Sequence, residues 1–210
     1  MRLATIRTDS GHRAVRLHSD DDLDAVETGH TDVGELLRDV LWRQLSADAD
    51  GPTHPATSLD FAPLVPKPDK VICVGLNYLD HIVESGRERP EYPTLFPKFA
   101  STLIGANDPI RLPFDDESTM VDWEAELGVV IGAEVRRSSP AQAAAAIAGY
   151  TVVNDISVRD YQRHTAQFMA GKAWQGTTPV GPFLVVADAG APAHFPISCT
   201  VDGQVMQSSN

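Results

Sequence analysis

The stretch VDWEAELGVVIG, residues 121 to 132, sets two carboxylates, Glu124 and Glu126, just ahead of a run of Leu, Val and Ile. Read as a strand, it puts Glu124 and Glu126 on one face and Trp123, Ala125 and Leu127 on the other. Two anions on one half-buried face repel each other. Either one takes up a proton or a positive centre lies between them. A bound cation meets the second condition, and a solvated strand edge avoids the conflict altogether. The rest of the chain has to decide.

A Pro-, Asp- and Thr-rich stretch leading into a new unit places a boundary near residue 65, giving residues 1–65 as a small N-terminal α+β domain with its linker and 66–210 as a second unit. RLATIRT and RAVRLH around DSGH read as a hairpin. Thr31 caps an expected helix through DVGELLRDVLWRQL, whose Val33, Leu36, Leu37, Val40, Leu41 and Leu45 share one face. Residues 47 to 70 are rich in Pro, Asp and Thr and read as the linker. KVICVGLNY then reads as a short buried strand, and LDHIVESG as two helical turns closing at Gly86. RERPEYPTLFPKF carries three prolines and is expected to be irregular, a candidate lid. After the AELGVVIGAEVR strand, Ser139 caps and Pro140 opens an Ala-rich helix that Gly149 closes. YTVVNDISV delivers Asp155 at the end of the next strand, and Asp202-Gly203 marks a closing hairpin.

Glu124, Glu126 and Asp155 thus stand at or near the ends of two strands joined by one helix, which can lie side by side. Oxygen ligands without nearby Cys or His select a hard cation, Mg²⁺, Mn²⁺ or Ca²⁺, over zinc. Arg159 and Lys172 are the bases available to offset the excess acid, and Gln162 follows Arg159 by three residues, so a helical turn aims both one way. Arg159 offers a fork to a substrate carboxylate, although a pairing with Asp155 or Asp160 explains it equally well. Lys172, in AGKAW, reads either as a site residue or as a lysine whose stem packs while its head reaches water. His81 and Glu84, at i and i+3, suit a water-activating base with its orienting carboxylate, or a surface ion pair.

With 29 acids against 17 bases and a formal charge of -12, the chain lacks the clustered cations that nucleic-acid binding needs. No stretch approaches the ~18 apolar residues of a membrane span, and the N-terminus lacks a signal-type apolar core. Cys73 and Cys199, far apart, read as reduced thiols, and a cytoplasmic protein is expected. GxSxG, Walker, GxGxxG and CxxC patterns are absent.

VGLNYLDHIVE, LFPKF, VDWEAELGVVIG, GYTVVNDISVRDYQ, GK and TPVGPFLV occur in the order and approximate spacing of the fumarylacetoacetate hydrolase family, which the chain resembles from about residue 65 onward. The resemblance implies an α+β, mostly β fold: a mixed β-roll behind a small N-terminal α+β domain, in a homodimer. It matches Glu124, Glu126 and Asp155 to Mg²⁺ or Ca²⁺ ligands, His81 and Glu84 to a lid-borne water-activating pair, and Arg159, Gln162 and Lys172 to residues holding substrate oxygens. The eukaryotic founder's additional Asp ligand has no counterpart in VICVGLNY. Family members also continue past VDGQVMQSSN with a Thr-Gly-Thr-Pro-like segment, so the C-terminal part of the fold is expected to be missing.

The function so implied is metal-dependent carbon-carbon hydrolysis of an acylpyruvate or fumarylacetoacetate-like oxo acid, with Lys172 and Arg159 stabilising the enolate and His81 activating water. The same enolate without water attack gives isomerisation or decarboxylation. A non-catalytic metal-binding relative is the reading from another class.

Overall fold

The structure is a computed structural model, and it describes residues 1–18, 21–114, 116–187 and 194–210. β1 (Arg2–Thr8) and β2 (Gly11–Leu17) form the N-terminal hairpin, followed by β3 (Asp24–Glu27), α1 (Val33–Leu36), α2 (Trp42–Ala47) and β4 (Thr53–Pro55). β5 (Val71–Gly75), α3 (Leu79–Glu84), β6 (Thr94–Lys98), β7 (Leu103–Ile104) and β8 (Val121–Asp122) lead to β9 (Ala125–Ile131). Then come α4 (Pro140–Ala145), β10 (Ile147–Asn154), β11 (Ser157–Val158), α5 (Arg159–Gln162), α6 (Met169–Lys172) and β12 (Thr178–Pro179). β13 (Leu184–Val186), β14 (Ile197–Val201) and β15 (Gln204–Ser209) complete the chain.

One open seven-stranded sheet, in the order β4-β3-β2-β1-β13-β10-β9, runs through both halves of the sequence. The join is made where β1 pairs antiparallel with β13, Leu3 opposite Leu184. Those two residues, with Ala148 and Val186, pack under Val33, Leu36, Trp42 and Leu64 in one buried cluster. Each fully buried aliphatic side chain there contributes roughly 1.5–3 kcal/mol. A buried hydroxyl ties the layers together: Thr5 Oγ1 donates to the Leu64 carbonyl at 2.7 Å and accepts from the Val33 N–H at 3.0 Å. The fold is mostly β, as the sequence implied.

Local signals explain most elements. Ser139 caps α4 in a reciprocal capping box with Gln142, and Pro140 occupies the first turn. Asp202 and Gly203, with φ of 49° and 79°, make the tight turn between β14 and β15. Four expectations are corrected. The helix through residues 32–45 is two short helices capped by Asp32 rather than Thr31, because the Asp39 carboxylate takes the Leu41 N–H and closes a turn between them. β5 alternates rather than being wholly buried, since among the described residues it pairs only with β6 and leaves Ile72 and Val74 in solvent. The proline-rich stretch is partly a strand: β6 accommodates Pro97 on the exposed face of a two-stranded sheet, where a missing N–H is tolerated. Gly149 lies within β10 instead of closing α4, and an added Cβ would stand 2.1 Å from the Val185 carbonyl oxygen.

A core shared across residue 65 predicts one cooperative unfolding transition. Leu3→Ala and Leu184→Ala are each expected to cost about 2–5 kcal/mol and to move the same transition in urea. Two transitions, with each variant moving only one, would show an N-terminal unit that folds alone.

Candidate active site

The register of β9 against β10 brings the acids together. Glu126 pairs with Val153 and Ala125 with Asn154, so the chain positions just outside, Glu124 and Asp155, face each other. The Asp155 N–H donates to the Glu124 carbonyl at 2.9 Å, and the Glu124 N–H donates to Asn154 Oδ1 at 3.2 Å. Two carboxylates are thereby held at adjoining strand ends by their own backbones.

Three cations converge on them. Lys172 Nζ donates to Glu124 Oε2 at 2.7 Å and to Asp155 Oδ2 at 2.9 Å. Lys98 Nζ donates to the other oxygen of Asp155, and Arg159 Nη1 to Glu124 Oε1 at 2.7 Å. Arg159 also holds Asp122 and, at 2.9 Å, Gln162 Oε1. Lys98 and Lys172 are each 2% exposed and Asp155 3%, so these are desolvated charges that require their partners. Lys172 reaches this depth because α6 lies hard against β11 and α5: a Cβ at Gly171 would stand 2.5 Å from Gln162 N and from the Val158 carbonyl oxygen. Glycine alone permits that approach.

Glu126 is the odd member. Burial, and then the charges of Glu124 and Asp155, push its carboxyl from an ordinary 4.5 up to about 7, while Tyr78 and Lys172 pull the other way. Tyr78 donates to Glu126, and its hydroxyl accepts from the Leu127 N–H at 3.0 Å. Asp122, Glu124, Glu126 and Asp155 outnumber Lys98, Arg159 and Lys172 by one, and a proton on Glu126 removes the imbalance. Cys73, on the inner face of β5, has its thiol pushed up to about 12, first by burial and next by Asp155, so it stands neutral beside the cluster.

His81 and Glu84 make none of the bonds of this cluster. Both are exposed on α3, with no hydrogen bond or ion pair to each other or to the acids among the described residues. Lys98 and Tyr78 are site residues that sequence reasoning passed over, although both lie in stretches it singled out, LFPKF and GLNY. The signal for Lys98 was its alternation with Phe96, which points both to the buried face.

Among the described residues no three His, Cys, Asp or Glu side chains stand close enough to cage a metal ion. The donor chemistry nevertheless suits a hard dication: oxygen only, two carboxylates already converging on one positive atom, and a third driven toward neutrality by burial and then by the first two. A separate cavity of about 610 Å³ lies on the outer sheet face against Tyr150, Val152, Val185 and Phe195. It touches the acid cluster only through Glu126, and the chemistry belongs to the cluster.

Residues 70–210 match the family described as fumarylacetoacetate (FAA) hydrolase C-terminal. The human protein named oxaloacetate tautomerase FAHD2A, mitochondrial, is 39% identical over 209 residues, covering 98% of this chain and 65% of its own length. The rat protein of the same printed function is 43% identical over 179 residues, covering 84% of this chain and 56% of its own. The chain therefore spans less than two thirds of these relatives. Among solved structures, a 5-carboxymethyl-2-hydroxymuconate delta-isomerase from Mycobacterium smegmatis covers the whole chain at 32% identity and a TM-score of 0.79. A fumarylacetoacetate hydrolase from Exiguobacterium antarcticum does so at 29% and 0.83, and 75% of each solved chain is covered.

The shifted carboxyl gives a pH prediction. Glu126 binds its proton more tightly folded than unfolded, so between pH 4.5 and about 7 the folded state holds more protons and stability falls as pH rises through that window. In metal-free buffer Glu126→Gln is expected to be more stable than the parent at pH 8, the gap closing toward pH 5. Urea midpoints that stay parallel across this range would show that Glu126 is not the proton-holding group.

Proposed function

The chain belongs to the fumarylacetoacetate hydrolase family, and from that premise we propose that it is an enolising enzyme, acting as an isomerase or tautomerase on a small 2-oxo dicarboxylate of the oxaloacetate type. The observation that carries this reading is the buried convergence of Lys98, Lys172 and Arg159 on Glu124 and Asp155. Cations so placed stabilise the negative charge that develops on a 2-oxo oxygen when a neighbouring C–H loses its proton. The printed functions of the human and rat relatives, and of the mycobacterial isomerase, support the same chemistry.

Glu124, Glu126 and Asp155 would hold a divalent cation, Mg²⁺ or one of its hard neighbours Mn²⁺ and Ca²⁺, which when bound supplies Lewis-acid polarisation of the 2-oxo group. Arg159, with Gln162 beside it, binds a substrate carboxylate through its fork. Lys172 turns its ammonium to the enolate oxygen. Lys98 stays on Asp155 and keeps that carboxylate in place. His81, with Glu84 on the same helix, is the proton carrier at the exposed side, from α3. Hydrolysis of an acylpyruvate is the second reading, favoured by the i, i+3 spacing of His81 and Glu84. Among the described residues the two make no hydrogen bond or ion pair with each other, which weakens it, because a water-activating base needs its orienting partner in contact. No helix among the described residues is long and apolar enough to cross a membrane. A cytoplasmic homodimer remains our proposal for its setting, beside relatives whose names carry the word mitochondrial.

The experiment is exchange of the C3 hydrogens of oxaloacetate for deuterium, followed by NMR with Mg²⁺ or Mn²⁺, alongside acetylpyruvate cleavage. Exchange above the uncatalysed rate is expected, with Lys172→Ala lowering it by about 10²–10³-fold, the scale of losing one preorganised donor. Acetylpyruvate cleavage with oxaloacetate exchange at background would hand the assignment to the hydrolase.

A further inference from the structure

Glu124 lies in the gap between β8 and β9, where the strand ladder does not reach, yet it carries two of the cluster's shortest bonds. Its backbone is fixed on one side by Asn154 and Asp155. The other side is held from a distant part of the chain. Gln207, in the last strand, accepts from the Ala125 N–H with Oε1 at 2.9 Å and donates to the Trp123 carbonyl with Nε2 at 3.5 Å. One carboxamide thus takes the peptide groups immediately before and after Glu124, as a neighbouring strand would.

The same face of β15 makes a second contact. Ser209, two residues on, donates from Oγ to Asp80 Oδ2 at 2.9 Å, and Asp80 precedes His81 in α3. Hairpin β14–β15 therefore bridges the Glu124 segment and the helix that carries His81. Nothing in the buried cluster requires a Gln at 207 for packing, since the residue is only half-buried. Its two directed bonds account for it.

We propose that Gln207 is a positioning residue: by clamping the peptides on both sides of Glu124 it sets the angle at which that carboxylate meets Lys172, Arg159 and a bound dication. The inference rests on the enolising reading of this cluster. It makes the C-terminal hairpin part of the site although Gln207 touches neither substrate nor reacting atoms. Removing a partner that orients a ligating or charge-bearing group costs roughly 10–100-fold in affinity or activity.

The test uses the full 210-residue chain. Gln207→Ala is expected to lower kcat for C3 exchange and to weaken Mn²⁺ binding by calorimetry, each by about 10-fold or more, with KM little changed. Gln207→Glu keeps the acceptor for Ala125 and lacks the donor to Trp123, so it is expected to fall between Gln207→Ala and the parent. It also serves if Gln207→Ala does not fold. Val205→Ala, in the same hairpin and exposed, reports mere loosening of the hairpin and is expected to match the parent. In a Glu124→Gln background, Gln207→Ala is expected to cost nothing further. Equal losses in both backgrounds, or parental kcat and Mn²⁺ affinity in Gln207→Ala, overturn the inference. If Glu124→Gln leaves exchange untouched, the enolising reading fails instead, and Mn²⁺ affinity, which needs no turnover, decides the role of Gln207 by itself.

Discussion

A single ammonium group holds the site together. Lys172 Nζ lies between Glu124 and Asp155, two carboxylates that the sheet brings face to face and that would repel without it. Burying such charges is costly, several kcal/mol for each ion, and a buried ion pair is seldom the cheapest way to stabilise a fold. Well-packed apolar residues in place of a buried ion pair are often at least as stable and need no partners. That the chain keeps a network of Lys98, Lys172 and Arg159 on Asp122, Glu124 and Asp155 instead is what gives the cluster its functional meaning.

The fold supplies this arrangement by ordinary means. A short capped helix between β9 and β10 turns the chain back on itself, and their antiparallel register sets Glu124 against Asp155 one residue beyond the ladder. The close approach at Gly171 drives Lys172 inward, and alternation along β6 delivers Lys98 from the opposite side. The N-terminal strands matter as well, because β1 completes the sheet at β13, next to β10. The carboxylates thus rest on a core to which residues 3 to 64 contribute.

Features that depend on a few neighbouring residues were legible in the sequence. The Ser139 cap, Pro140, the Asp202-Gly203 turn and the strand run after Glu126 each state their geometry locally. Glu124, Asp155, Arg159, Gln162 and Lys172 were singled out, and they are joined by hydrogen bonds as one network. What escaped was decided at long range. β6 looked irregular because proline normally excludes a strand, and its exposed edge position becomes visible only once β5 is known to be its sole partner among the described residues. The 32–45 helix failed because Asp39 offers its own carboxylate to the backbone, a local competition that apolar spacing does not register. Tyr78 and Gln207 act through backbone groups of residues far along the chain, which no spacing rule connects to them.

The charge balance explains why one cluster can suit two states. Lys172 supplies one positive charge to the three acids Glu124, Glu126 and Asp155, and the proton favoured on Glu126 below about pH 7 supplies another. A dication held by these acids would displace the Glu126 proton while Lys172 stays, and the positive charge it adds would suit a site that takes up an anionic substrate. Carboxylates turned to such an ion would release Lys172 while keeping it within their reach. On the enolising reading its ammonium would then be available to an enolate oxygen, so the group that neutralises the acids in this structure would be well placed to neutralise the reacting anion.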